Sequence, residues 1–164
     1  MQAHELEEAL AGTSSAKGSE AGLDLPANCE TVMEVASYTV AVNKKNGSKT
    51  NGQLFFALNG PVISCTNSQL PVGANARVAY FGLNSPVNQG SLANENKEAV
   101  RKCTAALLGK DASQPPFPGK TWEQLIGSIA GSQDGQKFVV GKRVRIVTGP
   151  ANANGYTKKQ FFAA

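Results

Sequence analysis

The front half of the chain alternates short apolar runs with polar, glycine-containing turns, a pattern typical of β-strands. The first run, residues 30–43, is long for one strand, so we expect a bend or bulge within it. Two Asn-Gly dipeptides follow it and supply the positive φ angles that tight hairpin turns require. The pattern then predicts a strand over residues 53–58 that stops at residues 59–61, a short extra strand over residues 62–65, and a third main strand over residues 76–82.

Helical spacing replaces this alternation in the middle of the chain. Apolar residues recur at helical intervals from residue 94 to residue 108, with acidic residues early and basic residues late, and Gly109 is a suitable C-cap. A second short helix is predicted to begin after Thr121, which has the side chain of a good N-cap. The two helices therefore interrupt the series of strands.

The C-terminal part of the chain predicts a β-hairpin, because two strand-like runs flank a Gly-Pro and an Asn-Gly connection. On its first strand Val140, Val144 and Ile146 are expected to share one face. Arg143 and Arg145 fall on the opposite face. The hairpin is thus predicted to have one apolar and one cationic face, and a cationic face suits a nucleic acid strand.

Three strands, a helical insertion and two strands follow one another along the chain. The fold class predicted from this order is mainly β with a helical insertion, a five-stranded OB-like barrel in the order β-β-β-α-β-β. Residues 1–24 form an acidic, flexible N-terminal segment in this interpretation. Residues 25–164 form the OB-like, nucleic-acid-binding domain.

The net charge of +4 is unevenly distributed along the chain. Residues 1–34 hold seven acidic residues and one lysine, whereas residues 35–164 hold fifteen basic residues and five acidic ones. A body with this balance attracts polyanions. The acidic front suggests a second hypothesis, in which residues 1–24 either recruit partner proteins or occupy the basic groove as a nucleic-acid mimic.

Catalytic and metal-binding patterns are not found in the sequence. It lacks the phosphate-loop, GxSxG, HExxH and GxGxxG motifs, and a single histidine, His4, makes a catalytic triad or a His-pair metal site improbable. Cys29, Cys65 and Cys103 have neither an even number nor CxxC spacing, so neither a disulfide framework nor a zinc site is expected. We therefore expect a protein that is not an enzyme and needs no metal or cofactor.

The sequence also favours one location. No apolar run approaches the roughly 18 residues that span a bilayer, and glutamates stand near the N-terminus where a signal peptide has positive charge. We expect an unexported protein of the cytoplasm, or of the host cytoplasm if it is phage-encoded, without membrane contact.

Binding of single strands needs cations for the phosphates and ring faces for the bases. The candidate cations are Lys44, Lys45, Lys49, Arg77, Lys142, Arg143, Arg145, Lys158 and Lys159. The candidate rings are Tyr38, Phe55, Tyr80 and Tyr156. In the pairs Phe55-Phe56 and Tyr80-Phe81, alternation places one ring on each face of a strand. Tyr38 and Tyr156 are the preferred stacking rings, because a hydroxyl tolerates a wet edge.

These features resemble those of phage-encoded single-stranded DNA-binding proteins with an OB fold, over residues 25–164. The matching features are Leu25-Pro26, the hairpin Lys44-Lys45-Asn46-Gly47, the helical middle, the strand from Val140 to Arg145, the turn Asn154-Gly155-Tyr156, and Phe161. The resemblance implies binding of single-stranded DNA with little sequence preference, and its protection in phage replication or recombination. Replication or recombination proteins are the implied partners of the acidic front. One departure is that this chain ends in residues 158–164, which are basic and apolar, where many such proteins have an acidic tail.

Two other functions fit the composition. A phage or viral structural protein, such as a capsid or tail component with a β-barrel and no nucleic-acid binding, would also have low charge density and many Gly, Ala and Asn residues. A small inhibitor of a host protein is the third hypothesis. An exposed strand edge would support a homo-oligomer. The sequence leaves open the choice of DNA or RNA and the length of strand bound.

Overall fold

The computed structural model describes residues 22–44, 46–47, 52–83, 91–153 and 155–164, and these form a mainly β structure with few helices. The strands are β1 (Leu23–Asp24), β2 (Glu30–Glu34), β3 (Ser37–Val42), β4 (Leu54–Cys65), β5 (Asn75–Tyr80), β6 (Arg143–Ala151) and β7 (Thr157–Ala163). The helices are α1 (Ser91–Leu108), α2 (Trp122–Gly131) and α3 (Gln133–Gln136). Every described helix is too short or too polar to cross a bilayer.

The predicted bend in the first long run is confirmed. Residues 30–42 form two strands, β2 and β3, which lie end to end along β4 and are separated at Val35 and Ala36. The first hairpin is confirmed as well, because Val42 pairs with Leu54 across the Asn-Gly-rich loop. β4 therefore pairs with β5 on one side and with β3 and then β2 on the other.

The predicted stop at residues 59–61 is wrong, because β4 continues through them to Cys65. Gly60 makes this possible. A Cβ atom at residue 60 would overlap the carbonyl oxygen of Glu34, so the junction of β2 and β3 approaches β4 more closely than any other residue allows. The short extra strand predicted for residues 62–65 is the second half of this one strand.

The C-terminal hairpin is confirmed, with Ile146 opposite Phe161 in the β6–β7 pairing. Val144 and Ile146 are fully buried, as expected for one face of β6. The placement of Val140 on that face is wrong: its side chain is 46% exposed and precedes the strand. Gly141 has a φ of +86°, which a strand does not use, and β6 begins only after it.

The two predicted helices are confirmed, but α1 begins at Ser91 and has no acidic residue in its first turn and no basic residue in its last turn, and α3 was not predicted. α1 ends at a left-handed Gly109 with a φ of +66°, as predicted. α2 begins after Thr121, whose hydroxyl accepts a hydrogen bond from the backbone N–H of Gln124. α1 packs against β7, and α2 with α3 covers the open edge of β3, where the Gln136 amide donates a 2.8 Å hydrogen bond to the carbonyl of Tyr38.

The strands form a seven-stranded mixed sheet in the order β1-β5-β4-β2-β6-β7, with β3 also on β4. The sheet is an open path, and no hydrogen-bonded ring closes it within the described ranges. β1 pairs in parallel with β5, so it occupies backbone hydrogen-bonding groups at the edge of β5. β5, which is next to the β1 end of the path, nevertheless approaches β7 at the other end, because the rings of Tyr80 on β5 and Phe161 on β7 lie 6.5 Å apart.

Candidate nucleic-acid interface

A cleft of about 200 Å³ lies where β1 and β5 approach the start of β7. We call this cleft the seam. It is lined by Asp24, Leu25, Arg77, Ala79, Phe81, Gly155, Tyr156, Thr157 and Lys159. Three of the predicted site residues are therefore brought together: Arg77 from β5, and Tyr156 and Lys159 from the C-terminal hairpin.

Lys159 is the half-buried cation of the seam. Its Nζ atom lies 5.8 Å from the centre of the Tyr80 ring and 5.2 Å from that of Tyr156. It also donates to the carbonyl and hydroxyl oxygens of Thr157 at 3.3 and 3.4 Å. Burial lowers the pKa of Lys159, and the carboxylate of Asp24 partly offsets this. A cation held this way attracts phosphate more strongly than one in open water.

Arg77 is the second cation of the seam and pairs with Asp24. Its Nη2 atom lies 3.4 Å from Asp24 Oδ1, and the two residues are opposite each other in the β1–β5 pairing. The Asp24 side chain is 78% exposed, so this ion pair contributes little to stability. One carboxylate thus lies beside both cations of the seam.

Gly22, the residue before β1, lies close to side chains of β4 and β5. A Cβ atom at Gly22 would overlap the side chain of Arg77 and lie 2.6 Å from the amide nitrogen of Asn59. Asn59 is 3% exposed, and its side-chain amide has no hydrogen-bond partner among the described residues. An unpaired buried amide costs about 1–3 kcal/mol, so the position of the chain beside β1 leaves the hydrogen-bonding groups of Asn59 unsatisfied.

Two exposed rings flank the seam. Tyr156 is 44% exposed and follows a tight loop in which its backbone N–H donates to the Asn152 side chain at 3.0 Å. Phe81 is 38% exposed and stacks on Phe55, with ring centres 5.4 Å apart and planes 19° from parallel. Phe55 itself is buried under this contact. Phe81 was not among the predicted residues, although its alternation with Tyr80 was the signal that could have found it.

The placement of Tyr38 at a wet edge is wrong. Its side chain is fully buried, its hydroxyl lies 2.6 Å from the Thr104 hydroxyl, and its ring contacts Phe56 edge to face at 4.9 Å. Tyr80 is also buried, at 3% exposure, and offers only a ring face to Lys159. Burial raises the pKa of both tyrosines, so both stay neutral.

Arg143 and Arg145 lie on the opposite, outward face of β6, as expected, but both are paired. Arg143 Nε lies 3.5 Å from Glu34 Oε1, and Arg145 Nη1 lies 3.1 Å from Glu30 Oε1. The guanidinium of Arg145 also sits 4.4 Å above the Phe162 ring. We call this group the arginine ribbon: Glu30, Glu34, Arg143, Arg145 and Phe162. Its four charges sum to zero.

The remaining predicted cations do not line the seam. Lys44, Lys142 and Lys158 are exposed on the β3–β4 loop, before β6 and on β7. Lys45 and Lys49 lie outside the described residues. A second depression, of about 400 Å³, lies between the end of α1 and the end of β7 and includes Lys102 and Lys110 but none of the predicted residues.

Comparison of the chain with protein-family models, with curated proteins and with solved structures found no match.

Proposed function

We propose that this protein binds single-stranded DNA with little sequence preference through the seam, and that it protects such strands in replication or recombination without catalysing a reaction. The single observation that best supports this is the position of Lys159. Its ammonium group lies between the ring faces of Tyr80 and Tyr156, in a cleft that also contains Arg77 and the exposed Phe81. The cleft therefore combines cations, which suit phosphates, with aromatic rings, which suit bases.

The topology supports the same proposal. β4 lies between β2 with β3 on one side and β5 on the other, and all of these pairs are antiparallel. A helical segment follows β5. The β6–β7 hairpin then returns, and β6 pairs with β2. We interpret this order as that of an OB-like barrel, whose ring the Tyr80–Phe161 contact would complete by side chains. In such barrels the loops after the first and fourth strands flank the ligand, and here these are the loop holding Lys44 and the loop before Tyr156.

The energetics of the seam favour single strands over duplexes. Stacking of a base on an aromatic ring contributes about 1–3 kcal/mol, and a duplex hides its base faces within its own stack. The cations act on the backbone of any sequence, and the rings accept any base. Low sequence preference follows from both terms.

The arginine ribbon favours a second candidate function. Its charges are internally paired, and exposed apolar side chains lie on it and before β6: Phe162 at 38%, Phe138 at 50% and Val140 at 46% exposure. A neutral, partly apolar face suits contact with other subunits, as in a phage or viral structural protein. Such a protein need not bind nucleic acid at all.

Binding to fluorescently labelled oligonucleotides at several salt concentrations separates the two functions. We expect single-stranded DNA to bind more tightly than duplex DNA of equal length, with an affinity that falls steeply as salt rises. Single-stranded RNA in the same series answers the question that the sequence leaves open. No binding to any of these strands at low salt would contradict the proposal and favour the structural role.

Two double variants that remove the same charge locate the site. Arg77→Gln with Lys159→Gln should weaken binding at least about tenfold, because two charge-assisted contacts are lost, and should reduce the salt slope by about 1.4. Arg143→Gln with Arg145→Gln should change the affinity by less than about threefold, because each of these arginines has a carboxylate of its own, whereas Arg77 and Lys159 share Asp24. Thermal unfolding of each variant checks that the fold is retained. Equal losses in both variants would place the site elsewhere than in the seam.

A further inference from the structure

Two cysteines lie side by side where β2 begins and β4 ends. Cys65 pairs with Thr31 across the strands, and Cys29 precedes Thr31 by two residues, so both side chains lie on the same face of the sheet. Their Sγ atoms are 3.9 Å apart, which is van der Waals contact. A disulfide bond is about 2.05 Å long, so the sulfur atoms need to approach by a little under 2 Å.

Cys65 is the accessible member of this pair. Its side chain is partly exposed, and the backbone N–H of Asn67 points to its sulfur at 3.5 Å. Cys29 is buried, and its thiol donates to the carbonyl oxygen of Pro26 at 3.2 Å. An oxidant from solvent therefore reaches Cys65 first and finds the second thiol directly behind it.

Cys103 provides a contrast within the same chain. It lies in α1 with no exposed surface, and burial raises the pKa of its thiol well above the usual value. A buried thiol that stays protonated is a poor nucleophile. The three thiols thus divide into an adjacent, accessible pair and one sequestered residue.

We propose that Cys29 and Cys65 are a redox-modification site that forms a reversible intramolecular disulfide when a peroxide is present. The Cys65 thiolate attacks one oxygen of hydrogen peroxide, the O–O bond breaks, and the released hydroxide takes up a proton to become water. The sulfenic acid on Cys65 is then attacked by the sulfur of Cys29, which loses its proton, and the S–O bond breaks to release a second water. Two electrons from the two sulfur atoms reduce one peroxide to two waters, and a dithiol reductant reverses the bond.

The disulfide would tie two residues that are 36 positions apart in the chain and enclose β2, β3 and most of β4. A cross-link of this kind restricts the unfolded chain and raises stability. The site does not depend on what the seam binds, so it stands or fails separately from the proposed function.

Peptide mass spectrometry of the full-length protein tests this site. The protein is treated with hydrogen peroxide, its free thiols are alkylated under denaturing conditions, and it is digested with trypsin. Lys44 separates Cys29 from Cys65, and Arg77 separates Cys65 from Cys103, so each thiol is on its own peptide. We expect the Cys29 and Cys65 peptides to be joined with the loss of two hydrogens and the Cys103 peptide to be alkylated. The midpoint of thermal unfolding should rise by about 5–10 °C and return on addition of dithiothreitol.

Single substitutions provide the controls. Cys29→Ser and Cys65→Ser should each abolish both the cross-link and the rise in midpoint, whereas Cys103→Ser should keep both. The proposal is overturned if the oxidised protein has all three cysteines alkylated, if Cys65 stops at a sulfinic acid, or if the cross-link joins separate molecules.

Discussion

The seam and the arginine ribbon contain similar residues in different arrangements. Each has two cations and a phenylalanine that is 38% exposed, Phe81 in the seam and Phe162 on the ribbon. The ribbon adds two carboxylates, one for each arginine, whereas in the seam the described lining residues include one carboxylate, Asp24, beside two cations. The electrostatic potential of a face therefore depends on the carboxylates that pair with its basic residues as well as on the number of basic residues.

The two cations that differ most are Arg145 and Lys159. The guanidinium of Arg145 pairs with Glu30 at 3.1 Å and lies over the Phe162 ring at 4.4 Å. Its charge and its flat face therefore both have partners within the protein. Lys159 donates to two neutral oxygen atoms of Thr157 and shares the carboxylate of Asp24 with Arg77, so its charge is only partly offset. We therefore expect a phosphate to gain more at Lys159 than at Arg145.

The largest difference is expected from the two matched rings. Phe81→Ala should weaken the binding of single-stranded DNA by about 1–3 kcal/mol, because a stacking surface of the seam is lost. Phe162→Ala removes an equally exposed ring from the ribbon and should leave the affinity within about twofold of the wild type, since its face is covered by Arg145. Fluorescence anisotropy with one oligonucleotide at fixed salt measures both.

Phe81→Tyr is the conservative control, because it keeps the ring and should keep most of the affinity. A loss with Phe162→Ala as large as with Phe81→Ala would mean that the ribbon, not the seam, stacks on bases. Affinity unchanged in both would remove ring stacking from the proposed function.

A smaller effect of opposite sign is expected from two matched carboxylates. Asp24 lies 3.4 Å from Arg77, and Glu34 lies 3.5 Å from Arg143. Asp24→Asn should raise the affinity for single-stranded DNA about two- to fivefold at low salt, because one charge at about 4 Å is worth about 1 kcal/mol in water. Glu34→Gln removes the same charge from the ribbon and should raise the affinity less, by under about twofold.

Repeating both titrations at high salt tests the electrostatic origin of the gain, which should then disappear. If Glu34→Gln raises the affinity more than Asp24→Asn does, the released Arg143 is the better phosphate ligand. The comparison between the two regions would then be reversed.

Much of the fold could be predicted because its signals are local. Alternation and Asn-Gly turns predicted both hairpins, and the length of residues 30–43 predicted the bend between β2 and β3. The continuity of β4 through Gly60 could not be predicted, because it depends on the close approach of Glu34 from another strand. The open sheet could not be predicted either, since β1 has only two residues and no pattern.

The site was predictable only in part, for a related reason. Charge and ring type identified Arg77, Tyr156 and Lys159, which lie together in the seam. The pairing of Arg143 with Glu34 was invisible in the sequence, because the two residues are 109 positions apart. The burial of Tyr38 was equally hidden, since it depends on α1 lying over the ring and on the hydroxyl of Thr104.

The smallest expected effect concerns the pH dependence of binding. Burial holds the pKa of Lys159 below the usual 10.5, so its charge is lost as the pH rises through the lowered value. Affinity for single-stranded DNA should therefore fall as the pH approaches 10.5, whereas Lys159→Arg, which stays charged, should fall about twofold less. An oligonucleotide of adenine and cytosine is suitable, because these bases do not lose a proton in this range. Burial raises the pKa values of Tyr80 and Tyr156, so their ionisation does not explain the fall. Identical pH profiles for the wild type and Lys159→Arg would mean that the charge of Lys159 does not contribute to binding, and the seam would then have no electrostatic advantage over the arginine ribbon.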